Sequence, residues 1–492
     1  MRIILVPSFN VVEGRIEPYV PYGLLSLQAA AQTSGRSVEL FALPDDVLDE
    51  TFSTSDQIVE RIFEMLPKDG ADIYGFSAVC NTSHITLDLA DRIRSVLPRC
   101  KIIIGGPYGT KISKDLLRAF PFIDAVATGE GEATIEHMVL ASSISEALTA
   151  PGLVGRETKA APQLVIENLD QLPFVGTDTY YSCLDSVRRI VPEGAATPLE
   201  ATRGCPLKCS FCSTKQVWGA SVRRKSGAHL TDEMRKISAR TGQNFFSLIG
   251  DNVGVPRAPF LQFCSEMISL DTNFTWGCSL KMDKLKPEHL DTMHAAGCRA
   301  IFVGLESASQ QTLDAVNKTA QIDIELQMVR SAISKGMHVE TSFIIGFPWE
   351  TEKDIKDTYE LHCALLEEGA FRSQVSLLSP IPGTEIVAGH EIVFDGMKSY
   401  MTDDGMILSR KHQEWIRQWP ELFSHFGHYA TPRVSRAVLK GYRDASSQMA
   451  AIHTTRRKQQ NLVEAGNHGR ALGATYPYGR KATESIVGVM KC

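Results

Sequence analysis

Three cysteines, Cys205, Cys209 and Cys212, fall within eight positions of one another in the stretch EATRGCPLKCSFCS, Glu200 to Ser213. Thiolates at this density are soft ligands, and their C-x3-C-x2-C spacing limits the metal chemistry they fit. A structural zinc site closes a tetrahedron with four Cys or His ligands, usually as two separated pairs. Here no fourth Cys or His follows until His229. A complete ferredoxin-type cluster also takes four cysteines. Three thiolates on a four-iron cube leave one iron open, a place for a substrate to bind and be reduced. The bland competitor is a chance grouping of structural thiols. The other eight cysteines (Cys80, Cys100, Cys183, Cys264, Cys278, Cys298, Cys363 and Cys492) are dispersed and read as small buried apolar residues. Cys363 reads as inert on a helix, DTYELHCALLEEG, against a role as a thiol hydrogen donor.

The elements that must hold the cluster are legible around it. It follows a strand at Pro198–Ala201, and five more apolar runs succeed it. FFSLIGDNVG ends at Gly250-Asp251-Asn252, FTWGCSL leads into a helix that stops at Gly297, and AIFVGLES ends in Glu306. VETSFIIGFPWET carries Gly346 and Pro348 in its loop, and QVSLLSPIPGT ends in the turn Ile381-Pro382-Gly383-Thr384. Six strands alternating with helices, with polar groups at their carboxyl ends, predict an incomplete (β/α)6 barrel whose site lies on that rim. Each residue has a structural alternative: Asp251 as a helix cap, Glu306 as a surface partner for lysine, Gly346 and Pro348 as a plain turn.

The first part of the chain alternates in the same way. Ile3–Pro7, Val38–Leu43, Ile73–Phe76, Ile102–Ile104 and Ala125–Thr128 read as strands separated by helical patterns, which argues for a parallel, doubly wound α/β sheet. Ligands of such sheets bind beyond the carboxyl ends of the strands. Ser77, Gly105-Gly106-Pro107 and Gly129-Glu130-Gly131-Glu132 stand at three of those ends, where glycine lets a ligand approach the backbone.

RGCPLKCSFCS resembles the cluster motif of the radical SAM superfamily. PYGLLSLQAA, IYGFSAV, IIIGGPYGT and AVATGEGEAT, in that order over roughly residues 1–140, resemble the cobalamin (B12)-binding-type domain that precedes the barrel in class B of that superfamily. The resemblance implies a [4Fe-4S] cluster on Cys205, Cys209 and Cys212, with S-adenosylmethionine (SAM) chelated at the open iron and cleaved to methionine and a 5′-deoxyadenosyl radical. It implies an aromatic residue at Phe211, SAM contacts at Asp251 (amino group), Glu306 (ribose) and Gly346 (adenine), and cobalamin contacts at Ser77, Gly105 and Gly106. No Asp-x-His-x-x-Gly sequence offers cobalt an axial histidine, and Tyr108 stands where many relatives carry histidine. The implied activity is modification of a small natural-product or secondary-metabolite molecule, by cobalamin-dependent methyl transfer to carbon. The alternative is cobalamin-independent dehydration, epimerisation, cyclisation or transfer of another SAM-derived group. No further catalytic residue is assigned. A flavodoxin or ferredoxin is implied as electron donor. A non-enzymatic corrin carrier with a structural metal is a third reading.

Length and composition bound the rest. At 492 residues more than one core is expected. The expected division is a B12-type domain over 1–140, a linker over 141–195, the partial barrel over 196–389 and a mainly helical region over 390–492 with a disordered tail. In that last region Pro420 should divide HQEWIRQWPELFSHF, and its aromatic stripe is expected to pack over the open barrel. His425 and His428, three apart, lack an acidic or thiol partner nearby in sequence. The net charge of −6 provides no basic field for nucleic acid, and Arg223–Arg224–Lys225 and Arg456–Arg457–Lys458 read as solvated faces. The apolar start, Ile3–Pro7, is too short for a signal peptide or a membrane span, and no later run is long enough to span. A cytoplasmic location is expected.

Overall fold

The apolar runs of the first part assemble into one twisted sheet in the computed structural model, which describes residues 1–158, 164–190, 196–270, 272–395 and 406–467, the side chains as far as 457. Its strands are β1 (Ile3–Val6), β2 (Glu39–Leu40), β3 (Ile73–Ser77), β4 (Lys101–Gly105), β5 (Ala125–Ala127) and β6 (Leu153–Gly155), in the order β2-β1-β3-β4-β5-β6. The first five are parallel, and β6 runs antiparallel to β5. Helices cover both faces, which is why Ile3–Val6 and Ile102–Ile104 are apolar throughout rather than alternating. The order reverses between β1 and β3, so the loops leaving these two strands diverge and open a crevice. The segment 141–195, expected as a linker, supplies β6 and the helix Asp178–Ile190, whose Tyr180 and Leu184 are buried. The first sheet therefore extends past residue 140.

The second sheet holds β7 (Thr197–Glu200), β8 (Phe245–Ile249), β9 (Thr275–Ser279), β10 (Cys298–Glu306), β11 (His338–Ile345) and β12 (Arg372–Leu377). All are parallel and pair in chain order. This is the expected partial barrel, open between β7 and β12. The helix Arg436–Asn467 packs on β12 and on the helix Glu352–Glu367, which covers the edge strand from outside.

The aromatic stripe lies elsewhere than expected. Ile416, Leu422, Phe423 and Phe426 join the buried cluster of Ile85, Leu89, Ile112 and Phe120 in the first domain, and Trp415 stands edge-on to Phe120 at 5.1 Å. Polar groups fix the same contact. His412 is fully buried, with Nδ1 2.7 Å from Ser55 Oγ and Nε2 3.1 Å from Asp88 Oδ2. Burial pushes the Asp88 carboxyl up, but His412 and Lys411 outweigh it and hold it down at about 2. The helix Arg410–Gln418 ends just before Pro420, which has no N–H to continue it. His425 is buried against Phe426 and Tyr108 and driven down to about 3 by burial, whereas His428 meets Asp395 at 3.0 Å. Residues 468–492, with Cys492 and most of the expected tail, lie outside the described residues. No helix among the described residues is long and apolar enough to cross a membrane.

Charge ties the two sheets together. The guanidinium of Arg203, 3% exposed, reaches Glu130 at 2.8 Å, Glu132 at 2.6 Å and Glu200 at 2.9 Å. Arg223 pairs with Glu130 as well, and Lys225 with Glu233 at 2.8 Å. The run Arg223–Arg224–Lys225 is thus largely buried, not a solvated face, because Arg223 meets Glu130 of the first domain, Arg224 the Val253 carbonyl and Lys225 the barrel's own Glu233. Burial pushes the Glu132 carboxyl up, yet Arg203 and Ser26 together hold it below its ordinary value. Removing one partner of such a set leaves buried charge uncompensated. Arg203→Met should therefore cost about 3–5 kcal/mol of stability in chemical unfolding, and adding Glu132→Gln should recover part of the loss.

Candidate active site

The carboxyl ends of both sheets open into one cavity of about 1370 Å³. Single ligands are usually held in about 300–1,000 Å³, so this space accommodates more than one small molecule. Ser77, Gly105 and Gly106 line it from the first domain, and Cys205, Cys209, Cys212, Asp251 and Glu306 from the barrel.

The cysteine loop leaves β7 through Thr202–Arg203, which pairs antiparallel with Arg223–Arg224. Gly204 has φ +95°, and a Cβ there would lie 2.1 Å from the Ser221 carbonyl oxygen, so only glycine passes this corner. The Ser210 N–H donates to the Val316 carbonyl at 2.9 Å, and the Ser210 carbonyl accepts from Ile386 N–H at 3.1 Å. These bonds hang the loop between β10 and β12. All three cysteines are half-buried free thiols. Burial pushes Cys205 up to about 11 and Cys209 up to about 12, while Lys318 pulls Cys209 the other way. A bound cationic metal reverses such a shift, since a coordinated thiol is deprotonated. Among the described residues no three His, Cys, Asp or Glu side chains are close enough to hold a single ion. An iron–sulfur cube is wider than one ion and takes thiolates set along one loop, as Cys205, Cys209 and Cys212 are. Phe211, on the same loop, packs at 6.0 Å from Phe347 and adds an apolar wall.

Asp251 does not cap a helix: the next one starts at Arg257, behind Pro256. Its Oδ1 accepts from Thr214 Oγ1 at 2.8 Å, and burial pushes its carboxyl up to about 6. Glu306 sits at φ +65°, where β10 shifts register against β11. A non-glycine residue in that region is strained and persists only where its surroundings hold it. Gly304 makes room, because a Cβ there would lie 2.4 Å from Glu306 Oε1. The lysine partner is Lys318, at 3.0 Å, and the pair is buried in the cavity wall; Glu306 Oε2 has no hydrogen-bond partner. Burial lowers Lys318, but Glu306 and Glu325 outweigh it and raise it.

Gly346 lies outside the cavity lining, where Ile344 stands instead. Its N–H donates to Glu350 Oε2 at 2.7 Å, as does that of Phe347 at 2.9 Å. The glycine turn is thus held from behind by a carboxylate. Tyr108 is buried away from the cavity, its hydroxyl donating to the Leu422 carbonyl at 2.9 Å. Cys363 is also outside the lining, beside Tyr359. The sequence reading missed Asn10, which opens a small hairpin with Arg15–Glu17 after β1, and Asn81, in the 3-10 turn Cys80–Thr82 after β3. Both line the cavity, are more than nine-tenths buried, and leave Asn10 Nδ2 and Asn81 Oδ1 without partners. Buried orphans of this kind call for a ligand, and the amide-bearing rim of a corrin is chemically suited to them. No local motif marks either asparagine.

Residues 199–362 match the family model of the radical SAM superfamily, and residues 16–139 match that of the B12 binding domain. The chain is a radical SAM enzyme with an N-terminal B12-binding domain. The radical SAM domain brings a [4Fe-4S] cluster and SAM as its cofactors, and the B12-binding domain brings cobalamin. An uncharacterized methyltransferase of Pyrococcus horikoshii is 25% identical, over 84% of this chain and 88% of that one. The anaerobic magnesium-protoporphyrin IX monomethyl ester cyclase of Rubrivivax gelatinosus is 27% identical over 63% of this chain, which spans 56% of the cyclase. Among solved structures, the radical SAM methyltransferase TsrM of Kitasatospora setae, with cobalamin and a [4Fe-4S] cluster bound, superposes with a TM-score of 0.67 at 18% identity, covering 90% of each chain. At that identity the likeness is one of fold.

Two measurements check this site. Cys209→Ser should lose most of the iron and the charge-transfer absorbance after anaerobic reconstitution, while its far-ultraviolet dichroism stays that of the parent. Burial pushes the Glu350 carboxyl from 4.5 up to about 7, so the fold favours its neutral form. Its stabilising effect is complete below pH 4.5 and is lost as pH rises through 7. Glu350→Gln keeps both backbone hydrogen bonds and should remove that pH dependence, a difference of about 3 kcal/mol in denaturant melts across this window.

Proposed function

We propose that this radical SAM enzyme is a cobalamin-dependent methyltransferase that methylates an unactivated carbon of a small molecule. The observation that carries the reading is the shared cavity: the corrin-type crevice and the cysteine triad open into the same space. When bound, the cluster with SAM supplies a carbon-centred oxidant, and cobalamin supplies a transferable methyl group. The chain's own residues have separable tasks. Cys205, Cys209 and Cys212 hold the cluster. Asp251, steadied by Thr214, and Glu306, steadied by Lys318, present carboxylates to the amino and ribose groups of SAM, and Gly346 shapes the adenine side from behind Ile344. Ser77, Gly105 and Gly106 form the crevice floor for a corrin, and Gly106 permits the tight turn there, since a Cβ would meet the Ala78 carbonyl oxygen at 2.8 Å. Phe211, backed by the buried Phe347, excludes water from the reacting groups.

We place the reaction in the cytoplasm, where free thiols persist, with a flavodoxin or ferredoxin as reductant. Anaerobic purification with iron and corrin quantification, followed by analysis of SAM cleavage products, tests the reading. Cobalamin-dependent methyl transfer requires bound corrin and formation of both 5′-deoxyadenosine and S-adenosylhomocysteine. Full turnover by corrin-free protein would sink it in favour of dehydration, epimerisation, cyclisation or another group transfer. Asn10→Ala with Asn81→Ala should weaken hydroxocobalamin binding about tenfold, the loss expected for two hydrogen bonds. Visible spectroscopy reads that change, and the iron content should stay as in the parent.

A further inference from the structure

Four lysines rim the cavity, and none of them is in an ion pair with a carboxylate among the described residues. Lys111 and Lys114 stand one turn apart on the helix Pro107–Ala119, Lys208 lies between Cys205 and Cys209, and Lys215 is on the helix Thr214–Trp218. All four are exposed and all four line the cavity. The two helices meet at the turn after β12. Gln216 Nε2 donates to the Gly383 carbonyl at 2.7 Å, and a Cβ at Gly383 would lie 2.9 Å from Lys111 Cβ. Lysines elsewhere are largely paired, as Lys101 is with Asp124, Lys281 with Asp283 and Lys411 with Asp88. No ion pair joins these four to a carboxylate among the described residues; Lys114 donates to the Thr158 carbonyl.

The cofactors account for only part of this charge: cobalamin brings a single phosphodiester anion, which can engage one of the lysines beside its crevice on the helix Pro107–Ala119. SAM carries an ammonium, a sulfonium and a carboxylate, so its net charge is positive and the rim repels it. Lys208 sits within the cluster loop and offsets thiolate charge. Of the carboxylates deeper in the wall, Glu306 pairs with Lys318, Glu130, Glu132 and Glu200 pair with Arg203, and Asp251 is bonded to the Thr214 hydroxyl. Lys111, Lys114 and Lys215 remain, set against two carboxylates of the lining, the exposed Glu385 and the half-buried Glu17. On a chain of net charge −6 this is a local positive field at the entrance to a low-dielectric cleft, the arrangement that concentrates anions.

We propose that Lys111, Lys114 and Lys215 form an anion-recognition rim that selects a substrate bearing a phosphonate, phosphate or carboxylate group. The proposal rests on the cavity being the reaction chamber of the proposed methyltransferase, and names the chemical class of its acceptor. The rim holds the anionic end of the substrate at the mouth and leaves the carbon to be modified pointing inward.

The test uses the cluster- and corrin-loaded enzyme with methylphosphonate and succinate as probes in titration calorimetry. At least one probe should bind, more weakly as salt screens the rim. Lys111→Gln/Lys114→Gln/Lys215→Gln should weaken it about tenfold, the sum expected for three exposed charge contacts. The better probe tells phosphorus oxyanion from carboxylate. Lys353→Gln/Lys356→Gln, on the remote helix Glu352–Glu367, should bind as the parent does. Matching melting temperature, iron content and corrin content of the triple variant establish that it is folded and loaded. No binding by the parent, or equal binding by the triple variant, overturns the proposal. So does a triple variant that binds probe normally but is reduced slowly by flavodoxin and normally by titanium(III) citrate, since the rim would then be a dock for an electron carrier. Probe binding is read without turnover, so loss of the methyltransferase reading shows separately, in the cleavage products.

Discussion

The buried guanidinium of Arg203 is the joint on which the geometry depends. It leaves the barrel just after β7 and meets two carboxylates from the turn after β5 and one from β7 itself. Bringing these charges out of water is expensive, and only near-complete mutual pairing offsets it. That requirement leaves little freedom in how the two sheets face one another. Their carboxyl ends, the only places where open parallel sheets offer a ligand crevice, are turned on a common space. The same residue directly precedes the Gly204 corner and the cysteine loop, so the domain joint and the cluster site share one strand exit.

Within that space the walls are built to be unsatisfied. Glu306 is held in a strained backbone conformation with a carboxylate oxygen unpartnered, and Asn10 and Asn81 keep buried amide atoms unbonded. Such groups are destabilising in an empty fold and become useful when a polar ligand meets them. The deep wall balances its charges internally through Lys318, Lys281 and Arg203, whereas the rim does not. A neutral, polar interior with a positive mouth is a division of labour between holding cofactors and admitting an acceptor.

The C-terminal region acts as two separate straps. Its aromatic half, with His412 and Asp88 at the centre, closes over the helices of the first domain. Its last helix lies along β12 and shields the open edge of the barrel. The first domain takes the aromatic half because its helices Ser83–Val96 and Pro107–Ala119 expose an apolar face. The barrel edge needs only a long amphipathic helix.

What the sequence determined alone is what depends on local spacing. Two parallel sheets follow from apolar runs with helical intervals, the cluster from three thiols within two turns of chain, and the crevice from glycines at strand exits. Each is set by covalent connectivity and the period of one element. What depends on contacts between distant segments was decided by tertiary structure. Segment 141–195 contributes a strand because β5 had an unpaired edge, and Arg223–Arg224–Lys225 is largely buried because Glu130 and Glu233 lie opposite. Gly346 is drawn behind the wall by Glu350, and Tyr108 is drawn out of the crevice by Leu422. Asn10, Asn81 and the four rim lysines carry no local signature, because solvation and pairing are properties of the assembled surface and not of the chain.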